Sequence, residues 1–330
     1  MPKSTAMDSF ETFAREIVSR HKIPGMAVAA AREGELVYAT GLGYRDRDKG
    51  LPATPDTVFG IGSITKSFTA LAIMQLQERG ILSVEDPVVK WLPEFRVPND
   101  DYRDRITIHH FLTHTSGLPP LPCRYYAQYR YIMKDPNKDR IPLPVEVAQL
   151  RPIDTYEDLL DLLAELDFEL LGPPGRYFSY SNEAYGLLGA IIERASGQSY
   201  PSYVREHILQ PLGLTRTAFD PEVVAQFPEV TQLYAARQEN GKQVVFAAPG
   251  WWEKHAMYAC GHLKSTVRDL LRYFEVYRNQ GAVGGVQIIS PASVNQMLTP
   301  HVEIEPGLFY GYGLVIQPDY HGVTLVKHGG

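Results

Sequence analysis

Apolar positions recur at helical spacing from about Asp8 to Arg20 and predict an amphipathic first helix, ended by Ile23-Pro24-Gly25. The next stretch, MAVAAAREGELVYATGLGY, changes to strand-length apolar runs around Arg32 to Gly34 and reads as a β-hairpin. Residues 60–80, GIGSITKSFTALAIMQLQERG, return to a helical run behind Ser63 through Phe68, Leu71, Ala72, Gln75, Leu76 and Arg79, with Gly80 as its stop. Glu85, Asp86 and Pro87 open a short helix through Trp91, and ITIHHFLTHTSGLPP (106–120) predicts a short helix running into a Gly/Pro turn. A helix from Thr155 to Leu166 precedes the turn GPPGR, and another spans about Glu183 to Ala195 and stops at Gly197. At the far end YGLVIQ and TLVKHGG read as strands around a turn at Asp319 to Gly322.

Strands at both ends with helices between predict an α+β fold: an antiparallel sheet formed from both chain ends and flanked by helices, with a mostly helical lobe inserted. The expected division is one domain of two lobes, 1–60 with 258–330 as the sheet lobe and 61–257 as the helical lobe. Residues 119–155 are read as a long irregular loop within the latter. This loop crowds Tyr125, Tyr126, Tyr129 and Tyr131 together and is the candidate specificity element, with Trp251 and Trp252 opposite. Packing of those aromatics on their own domain or on a second subunit is an equal alternative.

The chain has 330 residues, 44% hydrophobic, which suffices for a sizeable core. A net charge of −6 without any basic run argues against nucleic acid as a partner. The N-terminal stretch lacks a signal-peptide h-region and no run has transmembrane length, so no membrane partner and a cytoplasmic location are expected. Cys123 and Cys260, far apart, read as unpaired thiols in a reducing compartment.

Chemistry concentrates around Ser63-Ile-Thr-Lys66. The i, i+3 step puts both side chains on one face. Gly60 and Gly62 let the backbone approach closely, and the helix N-terminus favours a developing oxyanion. The same spacing at Ser19 to Lys22 lies on the polar tail of the first helix and reads as solvated surface. Two further motifs add weight: Tyr180-Ser181-Asn182 just before an apolar helix, and His328-Gly329-Gly330 on the last strand. A lysine in an apolar lobe should have a lowered pKa, and its ammonium would favour tyrosinate at Tyr180. Either could take the Ser63 proton, with Tyr180 passing it to the leaving group and Asn182 holding a substrate carbonyl or amide. Tyr277 to Asn279 repeats the Tyr-x-Asn pattern in the last turn of a helix, where a surface role is expected.

With these motifs, and with LTHTSGLP and CGHLKSTVRDLLRYF, the chain resembles the serine β-lactamase and penicillin-binding-protein-like family over roughly Phe10 to Gly330. The resemblance is to the branch of class C β-lactamases, D-aminopeptidases, D-alanyl-D-alanine carboxypeptidases and related esterases. It implies a β-lactamase/transpeptidase-like fold, Ser63 as acylated nucleophile and Lys66 with Tyr180 as proton carriers. Asn182, His328, Gly329 and Gly330 would stand on the substrate side. The branch's β-lactamases usually carry lysine at the position of His328. A histidine, mostly neutral at pH 7, implies less demand for an anionic substrate. The resemblance further implies C-terminal strands and a helix beyond Gly330, and a second oxyanion N–H from a residue 331.

The expected function is therefore a serine hydrolase working through a Ser63 acyl-enzyme on esters, amides or D-amino-acid-containing peptides. A β-lactamase or D-alanyl-D-alanine carboxypeptidase is the alternative within that chemistry. A non-catalytic ligand-binding sensor or inactive shortened homologue is the alternative from another class. The expected partner is a small molecule or short peptide, a homo-oligomer being compatible, with no cofactor and no metal. His110 and His114 have the spacing of a metal-binding helix but lack an accompanying Glu-x-x-His pattern. No Gly-x-Ser-x-Gly elbow or complete dinucleotide fingerprint occurs.

Overall fold

The computed structural model describes residues 5–134, 136, 138, 151–248, 250, 251 and 255–330, and side chains from residue 7 onward. The first helix, Thr5–Arg20, leads into the antiparallel hairpin Gly25–Arg32 and Glu35–Asp46, which Leu51–Pro52 extends to three strands. The helix Val267–Arg278 packs on this sheet, so a C-terminal segment does cover the N-terminal strands. The last strands, Val302–Glu305, Leu308–Tyr310, Val315–Tyr320 and Val323–Lys327, form a separate antiparallel meander. Both chain ends are thus antiparallel, but among the described residues they build two ladders where one sheet was expected. Alternation marks which residues are strands and carries no information on which strand is the neighbour.

Between the ends lies the helical core. The helix Thr65–Glu78 is buried at every position from Thr65 to Leu76, the polar Thr65, Lys66, Ser67, Thr69 and Gln75 included, so it runs through the core. It packs against Asn182–Ser196 and the short helix Tyr258–Gly261. Thr155 and Ser181 cap their helices by accepting from Asp158 N and Ala184 N, and Gly197 ends the second in the left-handed region.

The segment expected to be an irregular loop carries a helix, Cys123–Lys134. Its buried residues form two i, i+4 pairs, Cys123 with Ala127 and Gln128 with Ile132, spread over half the helix, a pattern that glutamine and the tyrosines between disguise. The remainder of the loop, residues 135, 137 and 139–150, lies outside the described residues, as does Trp252. Neither Cys123 nor Cys260 forms a disulfide, and both are buried. No helix among the described residues is long and apolar enough to cross a membrane.

Candidate active site

Ser63 sits in a 3-10 turn, Gly62–Ile64, that runs directly into the helix Thr65–Glu78. Thr65 clamps this turn: its Oγ1 donates to Gly62 O at 2.7 Å and accepts from Leu263 N at 3.1 Å. The third motif closes on the same turn. A Cβ at Gly330 would lie 1.9 Å from Ile61 O, and one at Gly62 (φ +49°) would lie 2.6 Å from the Gly330 carbonyl carbon. Only glycines permit that approach.

Lys66 has no exposed surface. Its Nζ meets three oxygens: Ser63 Oγ at 3.1 Å, Asn182 Oδ1 at 2.9 Å and Cys260 O at 2.6 Å. Two of these can only accept. A neutral amine gives them its two hydrogens and turns its lone pair to the serine hydroxyl, which is the orientation a base requires. Burial brings the Lys66 ammonium down from the ordinary value 10.5 to about 8, against the opposing fields of Cys260 and Glu183.

Tyr180 lies beside both, its ring 4.7 Å from Lys66 Nζ. Burial pushes its phenol up to about 12, and a hydrogen bond with Ser63 offsets only part of this. Burial of the anion is the dominant effect, so at neutral pH Tyr180 is held as the phenol, where the neighbouring lysine was expected to favour tyrosinate. Ser181, between Tyr180 and Asn182, caps the helix Asn182–Ser196, so the tripeptide is rigidly aimed. Asn182 accepts from Lys66 through Oδ1, and its Nδ2 has no hydrogen-bond partner among the described residues.

His328 follows the last strand. Its Nδ1 faces Gly329 O at 2.6 Å and can only donate there, so Nε2 accepts from the Tyr310 hydroxyl at 2.9 Å. Burial, then the field of Lys66, lowers the imidazole to about 4. A neutral ring thus faces the site 6.4 Å from Tyr180, centroid to centroid.

Ser63, Lys66, Tyr180, Asn182, His328 and Gly330 converge. The aromatic candidates behave differently. Tyr126 packs on the hydrophobic core, and the Arg124 guanidinium lies over the Tyr125 ring at 4.5 Å. Tyr129 is half-buried on the same helix, and Trp251 lies against Gly60 and beneath Lys264 Nζ. His110 and His114 do not share a helical face, since the helix ends at Leu112 and His114 is left-handed (φ +58°). His110 instead accepts Thr107 N–H within a capping box. Tyr277 is buried, its hydroxyl 2.7 Å from that of Tyr273, and is not the surface group expected.

Two further groups escaped the sequence reading. Glu183 is a buried acid whose carboxyl is pushed up by desolvation and touches the Cys123 thiol, which burial raises far beyond its usual range. In sequence it reads as an ordinary acidic residue favouring a helix N-terminus. His114 is wholly buried, whereas its sequence signals were the spacing from His110 and its place in LTHTSGLP, neither of which shows its burial.

The sequence profile of the Beta-lactamase family matches residues 10–330. Penicillin-binding protein 4* of Bacillus subtilis (strain 168) is 28% identical over 344 residues, covering 99% of this chain and 67% of its own. Esterase EstB of Burkholderia gladioli is 30% identical over 354 residues, covering 100% of this chain and 86% of its own. Among solved structures, the octameric penicillin-binding protein homologue from Pyrococcus abyssi superposes with a TM-score of 0.82 at 36% identity, over 98% of this chain and 67% of that one. EstCE1, a hydrolase with promiscuous acyltransferase activity, superposes with a TM-score of 0.70 at 27% identity, over 95% and 83%.

Proposed function

The chain belongs to the beta-lactamase family, whose members are serine hydrolases, and on that premise we propose that Ser63 is acylated by esters, amides or D-amino-acid-containing peptides. Lys66, as the amine, takes the Ser63 hydroxyl proton while Oγ bonds to the acyl carbon. The Tyr180 phenol gives its proton to the departing alcohol or amine as that bond breaks, and Lys66 restores the phenol. Water then attacks the acyl group, one of its protons passing to the same pair, and Ser63 leaves with a proton returned to Oγ. The Ser63 N–H at the start of the turn stabilises the oxyanion, and Asn182 Nδ2 is available to a substrate carbonyl.

The observation that carries this reading is the three-oxygen environment of Lys66 Nζ. A fixed pair of acceptors leaves one direction for the lone pair, and Ser63 lies in it. The test is intact mass after exposure to a fluorophosphonate, beside Ser63→Ala. One adduct, lost in the variant, supports the nucleophile; a native chain that stays unlabelled counts against it and favours a ligand-binding sensor.

The ester or neutral-amide preference rests on His328, whose ring is uncharged at neutral pH. A β-lactamase or D-alanyl-D-alanine carboxypeptidase remains the alternative, and one relative is named as a penicillin-binding protein. Faster turnover of a cephalosporin than of any ester or D-amino-acid amide would overturn the ester or amide preference and decide for the β-lactamase. The octameric Pyrococcus homologue supports proposing a homo-oligomer here too, to be read by light scattering. Two buried cysteines without a disulfide fit a cytoplasmic location.

A further inference from the structure

His114 transfers no proton in the scheme above, yet it has no exposed surface and lies among the site's aromatic rings. Its ring centroid is 4.3 Å from that of Tyr180, 4.8 Å from Tyr310 and 4.9 Å from Tyr185. It grips the residues on both sides of Tyr180. Ser179 N donates to the His114 carbonyl at 2.8 Å, and Ser181 N donates to His114 Nδ1 at 3.0 Å. One residue offers main chain and side chain to the same segment because its backbone is left-handed, φ +58°, an uncommon state for a residue with a Cβ. The surrounding ladder repeats the contact, with Gly175 N on Thr115 O at 2.7 Å and Ser179 Oγ on Leu118 O at 2.7 Å.

The imidazole's protonation follows from this geometry. Nδ1 accepts, so the neutral ring carries its proton on Nε2, and Nε2 is buried without a hydrogen-bond partner among the described residues. A histidine kept there for its own hydrogen bonds would satisfy both nitrogens. This one satisfies only the nitrogen that holds Ser181, and its flat face meets Tyr180 at an interplanar angle of 36°.

We propose that His114 is a positioning residue for Tyr180, a three-point clamp that holds the phenol in line with Ser63 and Lys66. The proposal rests on the reading of Tyr180 as proton carrier. It gives LTHTSGLP a purpose: the left-handed turn at His114 aligns this segment with the one bearing Tyr180-Ser181-Asn182.

The test is a double-mutant cycle on the full chain, with ethyl butyrate as substrate and acid release as readout, because its alkoxide leaving group needs the proton that Tyr180 supplies. His114→Phe keeps a flat ring and loses the acceptor. His114→Asn keeps an acceptor at the place of Nδ1, tolerates the left-handed backbone and loses the ring. His114→Phe is expected to lower kcat about 10- to 100-fold with KM within about 3-fold, as small displacements of a reacting group do. His114→Asn should lose less. Neither should lose anything further in a Tyr180→Phe background, because the group being positioned is gone. A folded His114→Phe or His114→Asn chain with full kcat overturns the clamp, as does an equal loss with and without the Tyr180 hydroxyl. If His114→Phe fails to fold, the Asn variant decides by the same criteria. Full kcat in Tyr180→Phe alone is a distinct result: it overturns the role of Tyr180 itself, and the clamp with it.

Discussion

The Tyr310 hydroxyl donates to Nε2 of His328 at 2.9 Å, while the ring's other nitrogen donates to Gly329 O at 2.6 Å. Both nitrogens are thereby committed in the neutral form, and a proton added to Nε2 would have to displace the Tyr310 donor. His328→Lys would place a permanent cation where the substrate's acyl side is expected. It should improve kcat/KM for a carboxylate-bearing substrate relative to a neutral ester by roughly 10-fold or more, as a hydrogen bond to a charged group implies. Parallel progress curves with the two substrates provide the check. Tyr310→Phe should raise the His328 titration above about 4, read from the imidazole proton shifts.

The pH profile follows from which form of each group works. Lys66 must be the amine to accept a proton, and Tyr180 must be the phenol to give one. With Lys66 at about 8 and Tyr180 at about 12, kcat/KM should rise with pH through about 8 and stay high until the protein itself fails. A rise centred near 6.5 would point to a histidine base instead. Lys66→Arg cannot lose its proton and should cost at least about 100-fold.

Gly62 offers a steric test of how the third motif seats on the nucleophile turn. An alanine there meets both a left-handed φ of +49° and the Gly330 backbone at 2.6 Å. Gly62→Ala should destabilise by about 1 kcal/mol or more from backbone strain alone. It should also slow fluorophosphonate labelling of Ser63 by at least about 10-fold, since the turn must shift. Labelling at the native rate would show that the two segments do not need this contact.

Much of this site was legible because each motif carries its own local geometry. Ser63 and Lys66 share a helical face, Gly62 permits a close backbone approach, and Tyr180-Ser181-Asn182 stands directly before a helix. What was not legible depends on long-range partners. Nothing local distinguishes the buried Glu183 from a solvated helix-start acid, or Tyr277 from a surface tyrosine. The helix Cys123–Lys134 was hidden by aromatic and basic residues on its outer face. One missed element did announce itself: Asn240-Gly241, with φ of +50° and +75°, is the two-residue turn of the hairpin Tyr234–Glu239 and Lys242–Ala247.

The burial of Lys66 also makes a prediction about stability, and its sign can be worked out. The folded chain holds this lysine at about 8 against an ordinary 10.5, so between those values the unfolded chain binds more protons. The Lys66 contribution to stability therefore improves as pH rises through that window, and is at its most costly below about pH 8. The full difference corresponds to roughly 3 kcal/mol. Tyrosines whose phenols are raised by burial act in the opposite sense at high pH, so the wild-type curve alone is not diagnostic. The comparison with Lys66→Met isolates the term, because every other group is common to both chains. Denaturant melts at pH 7 and pH 10.5 should show wild type gaining about 2 to 3 kcal/mol on the variant between the two conditions. An unchanged difference would mean that Lys66 keeps its proton as readily in the fold as in water, and could not then be the base at Ser63.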